Sequence, residues 1–414
     1  MTTKLLKKAC ILAFDDESQR IEVLHNSSIL IIGDEIAEIG QNIQQPADAE
    51  VIDVSGKIIT PGFINTHSHM WQTAHRTLGP GITLSEYFFF FSQMSPIIKS
   101  YSAEDVYISS LVGYYEGLNA GVTGYIDHAH NNWEMDVIKR GWDAAVDAGA
   151  RVWWCPNIED RDGCSEADQL EFMRTLGDRS TDNHPLVSIG LAYDKFTASS
   201  PEHVQKTKDD VRSVSISSID RYSSKSGLTD SPETFTSKLL LYIISADHGQ
   251  ARPMTVFLRL YADTVTVGNA SPSRAAEANL QEPNVPVVFS HGGFVTESDR
   301  SALSEHNWNL SITPESEMHY GHGQQTSRFI QDQASLGIDT NWTFSGDILF
   351  QSRLWLQKVR DASYNHTLDK SLIPEVNPMP VNQLPSFLRY TQIAYAHLRM
   401  PLRYSMYLHC SRYR

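Results

Sequence analysis

Cysteine is scarce in this chain and is not clustered. The four cysteines among 414 residues are Cys10, Cys155, Cys164 and Cys410. No two of them have the Cys-x-x-Cys spacing of a small zinc module, and a disulfide framework needs a denser set. The pattern therefore excludes both classes of protein and predicts free thiols in a reducing compartment.

Long hydrophobic runs are also missing. The longest, Tyr87–Phe91 and Leu239–Ile244, are far shorter than the roughly 20 residues of a membrane-spanning helix. The apolar stretch Ala9–Phe14 follows lysines, but it is too short for a signal peptide and is followed directly by acidic residues. We therefore expect no membrane association and a cytoplasmic location.

Positive charge is in the minority. Lys and Arg number 34 against 49 Asp and Glu, for a net charge of −15. An acidic chain repels nucleic acid and anionic lipid, so neither is expected as a partner. The hydrophobic share of 41% is ordinary for a globular protein, and the length suffices for a large barrel with a small accessory domain.

Two histidines follow an apolar stretch that begins at Ile58 and is interrupted by Pro61-Gly62. His67 and His69 are two residues apart, so on a β-strand both imidazoles point to the same face. Imidazole is the commonest side-chain ligand of zinc and also suits iron. By itself a His-x-His pair is also typical of two polar loop residues. The surrounding sequence is therefore needed to distinguish a metal site from a loop.

Those surroundings alternate strand and helix patterns, which predicts a (β/α)8 TIM-like barrel. Eight strands are predicted: Ile58–His67, Gly121–Ala129, Arg151–Ile158, Leu186–Asp194, Leu239–Ser245, Val285–Ser290, Asn309–Thr313 and Ser335–Thr340. The predicted helices include Ala103–Asn119, Glu134–Ala148, Glu166–Leu176, Pro201–Val211, Glu297–Glu305 and Asp347–Val359. Catalytic residues of such barrels lie at the carboxyl ends of strands. Candidates at these positions are His69, His128, His130, His291, Glu315 and Asp339.

Four blocks of the chain resemble one enzyme superfamily. They are Gly56 to His69, Ala120–Gly124 with Asp127-His128-Ala129-His130, Val288–His291, and Leu336–Asp339. The blocks are similar to the amidohydrolase superfamily, and within it to the cytosine deaminase and chlorohydrolase-like branch that includes the methylthioadenosine/S-adenosylhomocysteine deaminases. Residues 212–270 and the chain from about residue 384 onward do not resemble this family.

The resemblance implies a domain plan. Residues 1–57, read as short strands that include Arg20–Leu24 and Ser28–Ile32, are half of the small β-sandwich that flanks such barrels. Residues 58–375 form the hydrolase barrel, with 212–270 as an atypical insertion. Residues 376–414 form an atypical tail without the strands that complete the sandwich, so we expect the sandwich to be incomplete. We also expect Ser213–Ser237, which has no periodicity, to be poorly ordered.

The resemblance also implies a metal site. Its ligands are His67, His69, a fifth-strand histidine and Asp339, and together they hold one Zn²⁺ or Fe²⁺ per chain. His248 is the candidate for the fifth strand. Many family members have glutamate three residues after this histidine and this chain has Ala251, so a ligand role and a bystander role both stay open.

Other polar residues receive roles by the same resemblance. His291 is expected beside the metal-bound water as an acid, base or polarising group. Glu315 and Glu317 are candidates for a missing catalytic carboxylate, with an acidic helix start as the alternative. His128 and His130 are expected to support the ligands from outside or to form a second metal site. Trp71, Gln72, Trp133 and Trp342 are candidates for an aromatic wall of the substrate pocket.

The function implied is metal-dependent hydrolysis of a non-peptide C–N bond. A hydroxide on the metal would deaminate a small heterocycle of purine, pyrimidine or triazine type. The expected partner is this substrate, and a homo-oligomer stays open. Dechlorination or amide hydrolysis on the same fold is an alternative, because the leaving group depends on pocket shape. A barrel that has lost catalysis is the alternative from another class.

Overall fold

The computed structural model describes residues 2–15, 20–92, 95–183, 186–194, 202, 205–206, 208–210, 242–245, 272–277, 287–291, 295–321 and 333–369. The described residues belong to two compact units, one ending at Phe63 and the other beginning at Ile64. The predicted disordered stretch Ser213–Ser237, His248 and the tail from residue 376 lie outside the described residues.

The first unit is a five-stranded sheet. Its strands are β1 Thr3–Asp15, β2 Arg20–Ile32, β3 Glu35–Gly40, β4 Glu50–Asp53 and β5 Ile58–Ile59. Their order is β3-β2-β1-β4, and β5 also pairs with β1. β1, β2 and β3 run antiparallel, whereas β4 and β5 run parallel to β1. A small core of Ala9, Ile11 and Ile29 lies on this sheet.

Two sequence predictions for these strands are wrong. Arg20–Leu24 and Ser28–Ile32 are one strand, β2. The residues between them stay in the strand because the pairing with β1 shifts register near Ala9, where Asn26 has a positive φ of 48°. Ile58–His67 is two strands. Ile58 and Ile59 pair with Cys10 and Ile11, and Pro61, which has no N–H to donate, separates them from the next strand.

The second unit contains parallel strands in chain order. One sheet has β6 Phe63–Ser68, β7 Val122–Ala129, β8 Arg151–Pro156 and β9 Val187–Ile189. The other has β10 Leu191–Tyr193, β11 Tyr242–Ser245, β12 Val287–Ser290, β13 Asn309–Ile312 and β14 Ala334–Leu336. The pairs from β7 to β9 and from β10 to β14 are parallel.

The two sheets meet at both of their edges. Only Gly190 separates β9 from β10, and a parallel bridge joins Asn157 to Ala192. At the opposite edges a parallel bridge joins Ser68 to Asp339. Strand pairing therefore continues around eight positions. β11 occupies the fifth, although it lies within the stretch 212–270 that does not resemble the family.

Helices lie between these strands. They are α1 Leu84–Phe90, α2 Ala103–Asn119, α3 Met135–Asp147, α4 Glu166–Asn183, α5 Pro272–Glu277, α6 Glu297–Glu305, α7 Pro314–Tyr320 and α8 Ile348–Leu368, with 3-10 helices at Met70–His75 and Pro96–Ser100. The predicted bounds of α2 and α6 are correct. α4 and α8 continue beyond their predicted ends at Leu176 and Val359. Residues 201, 203, 204, 207 and 211 of the predicted helix Pro201–Val211 lie outside the described residues. None of the described helices has the length and apolar character to cross a lipid bilayer.

Candidate metal centre

Backbone pairing between the first and last strand positions brings the candidate ligands together. His67 ends β6, His69 follows it, and Asp339 lies just beyond β14. The Asp339 amide donates to the His67 carbonyl at 2.9 Å, and the His69 amide donates to the Asp339 carbonyl at 2.7 Å. Residues 272 positions apart in the chain are thus fixed side by side at the carboxyl ends of their strands.

The carboxylate of Asp339 lies beside both imidazoles. The Nε2 atoms of His67 and His69 lie 3.6 and 3.3 Å from Oδ1 of Asp339. Two ligands of a tetrahedral ion with bonds of about 2.0–2.2 Å lie roughly 3.3–3.6 Å apart. The observed separations match those of ligands that share one ion.

Hydrogen bonds orient the ligand rings. Nδ1 of His69 donates to the His128 carbonyl at 2.7 Å, which leaves the lone pair on Nε2 facing Asp339. Nδ1 of His67 lies 2.8 Å from the Ser290 hydroxyl. Nε2 of His67 is buried and has no hydrogen-bond partner among the described residues. A buried nitrogen of this kind is costly unless something binds it, and a metal ion would do so.

The charges of the cluster also suit a cation. Burial lowers the pKa of His67 to about 3, so its imidazole is neutral. Burial raises the pKa of Asp339, but the neighbouring rings of His67 and His69 outweigh it and hold the pKa well below its usual range. Burial lowers the pKa of His69, and contact with Asp339 outweighs it, so the net shift is upward. The cluster therefore contains an anionic carboxylate, as a cation site requires.

The backbone at this site adopts a conformation that most residues avoid. Asp339 has φ 73° and His291 has φ 66°, both in the left-handed region. Residues other than glycine pay about 1–3 kcal/mol for such angles and are concentrated at functional sites. Here the left-handed backbone follows the ends of β14 and β12 and places each side chain at the centre.

His291 flanks the three ligands. One of its ring nitrogens lies within 4.8 Å of the ligand atoms of His67 and Asp339. Nδ1 of His291 lies 2.7 Å from the Thr313 hydroxyl, which fixes the ring. His291 is therefore close enough to act on a molecule bound at the centre.

His128 and His130 lie on the opposite flank. A ring nitrogen of His128 lies within 4.8 Å of ligand nitrogens of His67 and His69. His130 stacks on His69 with ring centroids 4.0 Å apart, and its Nδ1 accepts a hydrogen bond from Trp71 Nε1 at 2.8 Å. His130 thus supports the ring of His69 from outside.

The two candidate glutamates lie apart from this cluster. Glu315 accepts hydrogen bonds from the Gln351 side chain and the Ser345 amide and lines a cavity of about 490 Å³. Glu317 is buried, accepts from the Thr313 amide at 3.1 Å, and pairs with Lys358 at 3.2 Å. Both carboxylates belong to contacts around the start of α7. His248 lies outside the described residues, so its role stays a prediction.

The predicted aromatic wall divides into two groups. Trp71 packs on Trp133 with ring centroids 5.2 Å apart, inside a hydrophobic cluster. Trp342 instead contacts His75 and Phe91 and lines the same cavity as Glu315. Gln72 donates to the Tyr87 hydroxyl at 2.7 Å.

Sequence reasoning missed Asp194. This carboxylate follows β10 and lies 3.1 Å from His128 Nε2. Its signal was present, because Asp194 ends a predicted strand and so obeys the same positional rule as the other candidates. The hydroxyls of Ser290, Thr313 and Ser316 that hold His67, His291 and Asp339 were missed as well, since no local pattern marks a serine that orients a ligand.

Comparison with known proteins gives local matches in sequence. No protein-family model matches the chain. The 5'-deoxyadenosine deaminase of Methanobrevibacter smithii is 37% identical over 100 residues, which are 24% of this chain and 22% of that protein. The 5-methylthioadenosine/S-adenosylhomocysteine deaminase of Caldicellulosiruptor saccharolyticus is 34% identical over 127 residues, 30% of this chain and 28% of that protein. The chain thus matches less than a third of the length of these relatives.

The fold matches over a much larger part of the chain. Guanine deaminase from C. acetobutylicum, solved with bound guanine, aligns with a TM-score of 0.62 at 14% identity and covers 90% of this chain and 83% of that chain. Adenosine deaminase from Xanthomonas campestris, solved with bound zinc, aligns with a TM-score of 0.62 at 13% identity and covers 87% of this chain and 75% of that chain. At these identities the structures show the fold alone. Together the comparisons confirm that the chain resembles the amidohydrolase superfamily, in the branch of the methylthioadenosine/S-adenosylhomocysteine deaminases.

Proposed function

We propose that this chain is a metal-dependent aminohydrolase that removes an amino group from a small nitrogen heterocycle. The observation that carries the proposal is the position of Asp339 Oδ1 beside both histidines, 3.6 Å from His67 Nε2 and 3.3 Å from His69 Nε2. The named relatives deaminate adenosine derivatives, which favours a purine nucleoside as substrate and disfavours a barrel without catalysis.

The proposed metal is one Zn²⁺ or Fe²⁺ per chain. Neutral imidazoles and a carboxylate are donors that both ions accept, and the unpaired Nε2 of His67 fits this assignment. When bound, such an ion lowers the pKa of water and polarises the substrate. The proposal extends to the whole architecture, a (β/α)8 barrel with half a β-sandwich before it.

The residues of the chain divide the remaining work. His291, held by Thr313, is placed to move a proton to the leaving amine or from the attacking water. Burial of the cluster, with His67 1% and His291 8% exposed, excludes bulk water and strengthens each electrostatic contact. Glu315 and Glu317 stay predictions as proton carriers, and their present contacts with Gln351 and Lys358 favour a structural role.

The test is release of ammonia by the purified full chain. We expect activity with 5'-deoxyadenosine, methylthioadenosine or guanine, and loss of at least about a thousandfold in Asp339→Asn. Asp361→Asn, on the exposed face of α8, is the matched control and should retain activity. Ammonia release unchanged by Asp339→Asn, or absent from the metal-loaded chain with every heterocycle tried, would contradict the proposal.

A further inference from the structure

The three proposed ligands supply two nitrogens and one oxygen. These three residues and one water complete a tetrahedral ion. A further protein ligand either replaces the water or makes the ion five-coordinate. The expected extra imidazole on the fifth strand, His248, lies outside the described residues. We propose that His128, on β7, supplies the third nitrogen ligand of this centre, and that Asp194 holds its ring. This inference rests on the proposed function, because it assumes that the centre binds a metal.

His128 is buried with one ring nitrogen unpaired. It is 1% exposed, its Nε2 lies 3.1 Å from Asp194 Oδ1, and its Nδ1 has no hydrogen-bond partner among the described residues. Burying a polar group without a partner costs about 1–3 kcal/mol. His128 therefore has a buried nitrogen that a metal ion would satisfy.

The position of His128 suits a ligand. One of its nitrogens lies within 4.8 Å of the ligand nitrogens of both His67 and His69. Two ligands of one tetrahedral ion lie roughly 3.4 Å apart. The nitrogen of His128 therefore needs to move little more than about an ångström to coordinate the same ion as His67 and His69. The ring of His128 already lies 5.0 Å from that of His69 and 5.6 Å from that of His67, centroid to centroid.

Asp194 gives this ring a fixed carboxylate neighbour. Its Oδ1 lies 3.1 Å from His128 Nε2. Its Oδ2 accepts a hydrogen bond from Asn157 Nδ2 at 2.9 Å, and the bridge between Asn157 and Ala192 anchors that contact to the strands. A carboxylate beside a ligating histidine orients its ring and strengthens the ligand.

His291 is the competing source of a third nitrogen, since it lies within 4.8 Å of His67 and Asp339. It differs from His128 in the group that holds its ring, which is the Thr313 hydroxyl and not a carboxylate. A carboxylate is the usual partner of a ligating histidine, so His128 suits coordination and His291 suits proton transfer. The two flanks of the centre thus have different roles in this account.

The experiment measures metal binding and does not depend on activity. The metal-free full chain is titrated with Zn²⁺ against a chromophoric chelator, and the Co²⁺ form is examined by visible absorption, which reports coordination number. His128→Ala should raise the Kd for Zn²⁺ at least tenfold, the lower end of the effect of losing even an outer contact, and should change the Co²⁺ spectrum. His128→Gln, which keeps the side-chain bulk, should do the same, and Asp194→Asn should raise the Kd less.

His25→Ala, on an exposed position of β2, is the control and should bind as the unaltered chain does. Far-UV circular dichroism of each metal-free variant separates lost ligation from lost fold. Unchanged affinity and spectrum in both His128 variants would overturn the inference while leaving the proposed function in place. So would a spectral change caused by His291→Ala or His248→Ala and not by His128→Gln. An unaltered chain that binds no Zn²⁺ would instead overturn the proposed function itself.

Discussion

Gly337 lies where the strands that carry the ligands approach each other most closely. A Cβ at this position would lie 2.7 Å from the Ser311 Oγ and 2.9 Å from both the Cβ and the backbone nitrogen of His67. The backbone contact cannot move aside as a flexible side chain would. Glycine is therefore required for β14 to approach β6 closely enough to place Asp339 beside the histidines.

Gly337→Ala should separate these strands. We expect a loss of about 1–3 kcal/mol in the free energy of unfolding, the usual cost of overpacking, and weaker Zn²⁺ binding because Asp339 is displaced. Urea unfolding and a Zn²⁺ titration measure the two effects. Gly81→Ala, where a Cβ meets nothing within 4 Å, is the control, and equal behaviour of the two variants would show that the close approach does not matter.

Ser290 contacts His67, one of the proposed metal ligands. Its hydroxyl lies 2.8 Å from Nδ1 of that ring and has no substrate or ligand role of its own in this account. Ser290→Ala should therefore weaken Zn²⁺ binding by about 10–100-fold, as loss of an outer hydrogen bond to a ligand does, while the secondary structure is retained. Ser304→Ala, exposed on α6, should leave the affinity unchanged. An unchanged Kd in Ser290→Ala would mean that the contact does not orient the ring.

At the scale of elements, the helices whose bounds the sequence predicts correctly are α2 and α6, and both begin with a capping box. Capping boxes at Ser102–Asp105 and Thr296–Asp299 fix the starts of α2 and α6, and local sequence is enough to recognise both. α8 continues nine residues beyond its predicted end at Val359 without a local stop signal there. His69, His291 and Asp339 could be predicted as site residues because each lies at or just after the end of a predicted strand, and catalytic residues of such barrels lie at the carboxyl ends of strands.

The stability that the capping box adds to α6 depends on pH, because Asp299 is part of that box. Burial raises its pKa, but hydrogen bonds from Ser273 and Thr296 outweigh burial, so the net shift is downward. A carboxylate with a lowered pKa in the folded state adds stability above its unfolded pKa of about 3.9, and this stability is lost as pH falls through the folded pKa. The cap should therefore contribute fully at neutral pH and progressively less in acid.

Asp299→Asn should lower the free energy of unfolding by about 1 kcal/mol at pH 7. The difference from the unaltered chain should shrink as the pH falls below about 4. Urea unfolding at a series of pH values measures it. Asp136→Asn, exposed in the first turn of α3, serves as the control. A difference that stays constant down to acid pH would show that the carboxylate charge does not stabilise the cap.

At the scale of the whole molecule, the first unit leaves large apolar side chains in solvent. Val23, Ile32, Ile36, Ile39, Val51 and Ile58 are between 37% and 68% exposed. The sequence predicts this, because the chain from residue 376 has no family-like strands to complete a sandwich. Such surfaces favour association of copies, and the proposed incomplete sandwich would therefore lower solubility.

Replacing Val51 and Ile58 with lysine should reduce self-association of the full chain. Multi-angle light scattering at increasing protein concentration measures the effect, with Lys4→Arg and Lys57→Arg together as a control for surface change without added charge. Family-like strands in place of the tail after about residue 383 should act in the same direction. Association that persists in both proteins would mean that this sheet does not drive it.

The proposed metal ligands could be predicted from sequence, but the residues that hold them in place could not. His67, His69 and Asp339 follow apolar strands in blocks that resemble a known family. Asp194 and Ser290 reach the site only through strand pairing that joins distant segments. Left-handed backbone at His291 and Asp339 likewise depends on tertiary contacts. Sequence therefore indicates which chemistry is present, and the fold determines how the ligands are held.

The most direct test of the central claim is the metal content of the purified chain. Elemental analysis after dialysis should find close to one equivalent of zinc or iron per chain, and Asp339→Asn should hold at least tenfold less with an unchanged circular dichroism spectrum. Asp361→Asn should match the unaltered chain. Fewer than about 0.1 equivalents in the unaltered chain after loading with Zn²⁺ or Fe²⁺, or equal metal in Asp339→Asn, would contradict a metal centre at His67, His69 and Asp339.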